Sequence, residues 1–308
     1  MLPDADTLPE TLLDLAVPHE DINDLVALRR TLTTDSGAMR LVEECVEELV
    51  RDIGEAGVEV PLAERVAEAP AALGRYFAVY VFVAALPYTR SYHRERGITA
   101  DVSRRTLADL GRNMAFHRRR HGRGGVEVPQ WLTHHFRGEL YQLGRLQFER
   151  ARLGQRTARA VAPAGLDVAP GELCLNLHIP DFHGPLSPAA CDRSLALARE
   201  FFARHFPRER YRVAVCHSWL LDPQLKHHLG PDSNIVRFQD RFRPGRDPGE
   251  DPEGEGPEPE DTEPVRFVFG DPDLPVAGLP RRTAVERAVG DHLRAGGHWY
   301  VRHGWFPL

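Results

Sequence analysis

The sequence predicts an α+β protein in which a helical N-terminal domain is followed by a mixed β-sheet domain flanked by helices. Apolar residues recur at helical spacing through roughly the first 135 positions. After Gly138 they alternate with a period of two, and from there strand-like segments are interleaved with helical ones. With 308 residues, 42% apolar and 27% charged, the chain is long enough to bury a full core. Domains are expected over residues 1–136 and 137–308.

In the first domain the clearest helical stripe is Leu41, Val42, Cys45, Val46, Leu49, Val50 and Ile53, with glutamates and an arginine on the opposite face. Val102, Leu107, Leu110 and Met114 form a second. Gly37, Gly57, Pro61, Pro70, Gly97, Gly122 and Gly124 mark places where helices should stop. The longest apolar run, Tyr76 to Pro87, falls short of the ~20 residues that a bilayer span needs. Met1 is followed by acids rather than a basic signal region, so neither secretion nor membrane spanning is expected.

In the second domain, residues 139–152 alternate with a phase slip at Gly144, which predicts one bulged strand. Residues 173–179 alternate strictly: Leu173, Leu175, Leu177 and Ile179 share one face, and Cys174, Asn176 and His178 share the other. Ser187 is a predicted N-cap and Pro188 the first position of a helix reaching about 206. The run from Tyr211 to Leu220 predicts a central strand buried on both faces. A short helix at 222–229, strands at 234–242 and 265–269, a helix at 283–295 and a final aromatic segment, WYVRHGWF, complete the order.

Formal charge is −6, and residues 243–264 alone hold nine acids and two arginines. That stretch also has six prolines and four glycines and no large apolar residue, so a disordered acidic loop is expected. Its function would be solvation or the docking of a partner. The rest of residues 137–308 is cationic, with 21 bases against 15 acids, which suits an anionic ligand. Cysteines at 45, 174, 191 and 216 form no CxxC pair, which argues against a disulfide framework and favours a reducing cytoplasm. Fifteen histidines form no HExxH or Cys/His ladder, so no metal is expected. Arg118, Arg119 and Arg120 form a basic cluster without interleaved aromatics, and nucleic-acid binding is not expected.

Chemistry-bearing residues gather at predicted strand ends. His178 closes a strand on its polar face and precedes a glycine-containing loop, where an imidazole can serve as a base. Cys216, His217 and Ser218 stand in succession, so Cys216 and Ser218 share one face while His217 and Trp219 share the other. Asn176 and Trp219, each on a histidine's face, are candidates for substrate contact. Gly184 and Ser187, just before a helix N-terminus, are candidates for holding an anion. Neither a P-loop nor a dinucleotide fingerprint is present in its required context.

The segments CHSWLLDPQL at 216–225 and LGPDSNIVRFQDRF at 229–242, with GRLQFE at 144–149, LHIP at 177–180 and GPLSP at 184–188, resemble a bacterial family of acyltransferase-domain proteins common in actinobacteria. That family joins a helical N-acyltransferase N-terminal domain to a GNAT-like C-terminal domain. The resemblance implies N-acyl transfer from an acyl-thioester, on acyl-CoA or an acyl-carrier protein, to an amine. In that reaction His178 or His217 would deprotonate the amine, Ser218 or Cys216 would assist the leaving thiolate, and backbone donors would stabilise the oxyanion. Asn234 and Arg237, in the PDSNIVRFQ segment, complete the candidate set for the donor. The wider superfamily carries [RQ]-x-x-G-x-[GA], whose backbone amides hold the coenzyme pyrophosphate, and this chain lacks it at the expected helix starts. A non-catalytic binding or regulatory protein on the same fold is the alternative.

Overall fold

In the computed structural model, which describes residues 2–245 and 258–308, Met1–Gln142 and Leu143–Leu308 form separate units. The first contains α1 (Leu8–Asp14), α2 (His19–Thr34), α3 (Ser36–Val50), α4 (Leu62–Ala67), α5 (Phe77–Glu95), α6 (Ala100–Leu107), α7 (Asp109–His121) and α8 (Pro129–Phe136). The apolar run starting at Tyr76 becomes α5, buried continuously from Phe77 to Leu86, as a helix apolar on all sides must be. The predicted stripe of α3 packs on it through Val42, Cys45, Val46 and Leu49. Asp35 caps α3 by accepting from the Gly37 and Ala38 amides, so Gly37 lies inside the helix and does not end one. No described helix is long and apolar enough to cross a membrane.

The stripe expected on a single helix from Val102 to Met114 is divided between α6 and α7. Asp109 opens α7, where the helix dipole favours an acid, and it bonds Arg112 at 2.9 Å and His135 at 3.2 Å. Arg118 binds the fully buried Asp21 at 2.5 Å, and Arg120 pairs with Glu127. Two arginines of the basic cluster are therefore occupied within the fold.

His93 is buried in this unit at 1% exposure, with Nδ1 2.8 Å from Ser103 Oγ. Burial pushes its imidazole from 6.5 down to about 4. Between those values the unfolded chain binds a proton that the folded chain refuses, so His93 stabilises the fold above 6.5 and loses that contribution as pH falls towards 4. The loss amounts to on the order of 3 kcal/mol. His93→Gln is expected to flatten the fall in melting temperature across that window in a pH series. An unchanged slope would show that His93 is not the titrating group.

The second unit follows β1 (Leu140–Leu143) with β2 (Leu146–Arg152), α9 (Gln155–Val161), β3 (Leu173–His178), α10 (Pro188–His205), β4 (Val213–Ser218), α11 (Leu225–His228), α12 (Asn234–Gln239), β5 (Arg243–Pro244), α13 (Thr262–Phe269), α14 (Ala284–Arg294) and β6 (Arg302–Pro307). The strand order is β1-β2-β3-β4-β6-β5. β3 and β4 are parallel, while β2–β3, β4–β6 and β5–β6 are antiparallel. This is the predicted mixed sheet with helices.

Four local expectations are corrected. Gly144 is a turn residue at φ +73° between two strands, not a bulge in one. Residues 234–239 and 262–269 are helices where strands were expected. Ser233 Oγ accepts from the Val236 amide and starts the first of them. In the second, Val265, Val268 and Phe269 present one face to an apolar cluster with Trp219, Leu293 and Trp299. Of the expected acidic loop, Arg243–Pro244 belong to β5 and Thr262–Pro264 to α13, while residues 246–257 lie outside the described residues.

Candidate active site

Strand pairing brings distant polar residues onto one sheet face. On β3, Asn176 and His178 point to the side opposite Leu175 and Leu177. The antiparallel register sets Glu149 across from Asn176 and Gln147 across from His178. On the other side Asn176 is level with Val215, which puts His217 on the same face, and His217 is level with His303 of β6. Glu149, Asn176, His178, His217 and His303 thus share one surface of the sheet.

Glu149 Oε2 organises this surface. It accepts from Asn176 Nδ2 at 3.0 Å and meets His178 Nε2 at 2.7 Å. A carboxylate only accepts, so Nε2 carries the proton and the basic lone pair of His178 is on Nδ1. The side chains of His178 and Glu149 keep 23% and 12% exposure, low enough to strengthen the pair and high enough to admit a reactant.

His217 and His303 meet edge to face at 4.2 Å between ring centroids. Desolvation, then the neighbouring His303 and His178, push the His217 imidazole down to about 4, and the residue keeps an exposed surface. Its surroundings thus favour the neutral imidazole.

The parallel register between β3 and β4 runs through Leu175–Ala214 and Asn176–Val215 and stops there. β3 continues to His178 and β4 to Ser218, so both histidines project from strand ends beyond the last pairing. Open sheets place ligands at such carboxyl ends.

The remaining candidates are distributed elsewhere. Cys216 is on the opposite face from His217, 1% exposed, with burial pushing its thiol up to about 12. It keeps its proton and is separated from the imidazoles. Ser218 Oγ accepts from the Leu220 amide at 3.1 Å and caps the turn Trp219–Leu221. Trp219 leaves the strand in that turn and packs with Leu225, Leu229 and Trp299, so it is a core residue and does not share the His217 face. Ser187 caps α10 by accepting from Ala190, and Gly184 provides the positive φ of the preceding loop. Asn234 and Arg237 belong to α12 and not to a strand, and Arg237 binds Asp232 at 2.5 Å on the exposed side.

Glu149 and His303 escaped sequence reasoning. The signal for Glu149 was an acid within an otherwise alternating apolar strand, which becomes informative once β2 pairs with β3. His303 was hidden in an aromatic segment whose alternation, Arg302 to Pro307, becomes legible only as β6.

Residues 6–138 match the family model of the N-acyltransferase N-terminal domain, and residues 140–306 that of the GNAT-like C-terminal domain. The chain is similar to a solved acyltransferase in complex with decanoyl-CoA and teicoplanin, with 37% identity, a TM-score of 0.81, and coverage of 100% of this chain and 90% of that one. The same identity, coverage and TM-score hold for an acyltransferase in complex with CoA and 10C-teicoplanin. For an acyltransferase in complex with decanoyl-CoA the TM-score is 0.82, with 37% identity over 100% of this chain and 89% of that one. None of the curated proteins compared with the chain matches it.

All four cysteines are buried free thiols, and burial raises Cys45 to about 11 and Cys174 and Cys216 to about 12. The native protein is expected to resist a thiol-specific disulfide reagent at pH 8 and to react at all four positions once unfolded in guanidinium. Fast stoichiometric labelling of Cys216 in the native state would contradict its placement.

Proposed function

The chain belongs to the acyltransferase family that joins an N-acyltransferase N-terminal domain to a GNAT-like C-terminal domain, and from this premise we propose that it transfers an acyl group from acyl-CoA to an amine on a small-molecule acceptor. The observation that carries the reading is the Glu149–His178 pair at the open end of the parallel strands. Further support comes from the solved acyltransferases in complex with acyl-CoA that share 37% of its sequence. Their decanoyl and teicoplanin ligands suggest a medium-chain thioester and a glycopeptide-type acceptor for this chain.

The acceptor amine attacks the thioester carbonyl carbon while His178 Nδ1 removes its proton, and Glu149 steadies the resulting imidazolium through Nε2–H. Neutral His217 beside it adds no repulsion as His178 becomes charged. Backbone N–H groups beyond the last β3–β4 pairing stabilise the oxyanion. The intermediate then expels coenzyme A thiolate by breaking the C–S bond, leaving an amide. For the leaving sulfur, Cys216 is on the wrong face, whereas Ser218, whose Oγ already accepts from Leu220, keeps an O–H to donate. A pair built for proton transfer weighs against a non-catalytic binding protein. An acyl-carrier protein is the second donor to test, and four buried free thiols fit work in a reducing cytoplasm.

Release of free thiol from decanoyl-CoA in the presence of amines including teicoplanin tests this. His178→Ala is expected to lower kcat by about 10²–10⁴-fold while leaving acyl-CoA binding intact, and Glu149→Gln to give a smaller loss. Full turnover by His178→Ala would remove the base from the mechanism, and activity with acyl-carrier protein alone would reassign the donor.

A further inference from the structure

Among the described residues, the buried arginines come with counter-charges except for one. Arg137, 1% exposed, binds Glu139 at 3.0 Å, and Arg150, 2% exposed, binds Glu209 at 2.6 Å. Arg241, beside the start of α10, reaches Asp192 at 2.6 Å. Arg145 is 9% exposed, and its side chain makes one hydrogen bond, from Nη1 to the Pro180 carbonyl at 2.8 Å. Its Nε–H is buried with no partner. Arg145 feels the Asp181 charge without bonding that carboxylate, and the Cys191 thiol, itself pushed up by burial, brings no charge. Desolvation pulls the guanidinium below its ordinary pKa, yet an arginine stays protonated. A buried cation without a counter-ion is strongly unfavourable and calls for an anion.

The position of Arg145 identifies that anion. It sits in the β1–β2 turn, whose backbone is held against α10: the amides of Arg145 and Leu146 both donate to Ser194 Oγ, at 2.7 and 3.3 Å. Gly144 makes this approach possible, since a Cβ there would come within 2.7 Å of that oxygen. The guanidinium is tied to Pro180, just past the end of β3, and is near enough to Cys191, in the first turn of α10, to be felt electrostatically. α10 is 18 residues long and capped by Ser187, so its positive end is at this end of the helix, one turn from Cys191. We propose that Arg145 is an anion-binding residue for a phosphate group, taking the donor's pyrophosphate in place of the glycine-rich amide motif that this chain lacks. This rests on the acyl-CoA reading above and adds a residue to it. A guanidinium grips phosphate through paired N–H donors, and Nε with Nη2 supplies such an edge.

Three measurements on wild type, Arg145→Met and Arg145→Lys test this. Without ligand, Arg145→Met should melt at or above the wild-type temperature, because it removes an unpaired buried charge. Inorganic pyrophosphate should raise the wild-type melting temperature saturably and leave Arg145→Met unmoved, with Arg145→Lys in between. With decanoyl-CoA, kcat/KM should fall at least tenfold in Arg145→Met, mainly through KM, while decanoyl-pantetheine, which lacks the phosphates, is used within twofold of wild type. Equal pyrophosphate shifts in wild type and Arg145→Met, no shift in either, or equal losses with both thioesters would overturn the proposal. If decanoyl-CoA still turns over in wild type in those cases, the transferase reading stands alone. A pyrophosphate shift that depends on Arg145 in a protein inert towards decanoyl-CoA would keep the anion site and reject the transferase reading.

Discussion

The rest of the second unit depends on the short parallel pairing of β3 with β4, which ends at Asn176 and Val215. Parallel neighbours require a long crossover, and here that crossover is the loop from residue 179 followed by α10. Two consequences are forced. The positive end of α10 arrives at the same end of the sheet as His178, and β4 delivers His217 to that end from the other side of the gap. Antiparallel β2 and β6 then flank the pair and add Glu149 and His303 through register alone. A fully zipped β3–β4 ladder would have used the strand-end peptide groups that the proposed mechanism needs for the oxyanion.

The period of two along each strand gathers the polar set on one face, whose other end packs through Cys174, Val213, Val215 and Trp305. One face carries Glu149, Asn176, His178, His217 and His303, whereas Leu175, Leu177, Ala214 and Cys216 are on the other. Slippage by one residue would exchange the two sets. Arg150 resists it from the packing face: its guanidinium stands over the Phe206 ring at 4.2 Å and binds both Glu209 and the Tyr211 hydroxyl. A slipped β2 would strand that cation without Glu209, a penalty of roughly 3–5 kcal/mol for a broken buried pair. Asp222, fully buried, pins the exit of β4 to the entry of β6 by accepting from the Tyr300 amide. The histidine face is thus held in place by charges that take no part in the chemistry.

Local chemistry was legible wherever a single segment contained the whole signal. Strict alternation in 173–178 gave β3 and its polar face, and Ser187 with Pro188 marked the start of α10. The segments NIVRFQ and VRFVF were misread because their β-branched and aromatic residues outweighed their spacing. Buried Val236 and Gln239 are three apart, and Val265 and Phe269 four apart, which is helical spacing. The caps also favoured helix, since Ser233 stands three residues before Val236. The site was only half legible. His178 and His217 announce themselves by position, but Glu149 is 29 residues from His178 in the chain and acquires meaning only through strand register. Trp219 was misplaced because alternation was extended one residue beyond the end of β4.

The β1–β2 hairpin links the two halves of the proposed site. Arg145 sits in its turn and Glu149 four residues along β2, about 13 Å apart at ordinary strand rise. A thioester donor has the same layout, with anionic groups at one end of a flexible arm and the reacting carbonyl at the other. Mounting the anion contact and the base-orienting carboxylate on one hairpin limits their separation, and the Pro180 carbonyl steadies the guanidinium. Glycines are needed in such a loop when backbone amides must themselves approach a phosphate. A guanidinium reaching in from a neighbouring turn makes the contact through a side chain instead, beside a loop that holds Phe182, His183 and Pro185 around a single glycine.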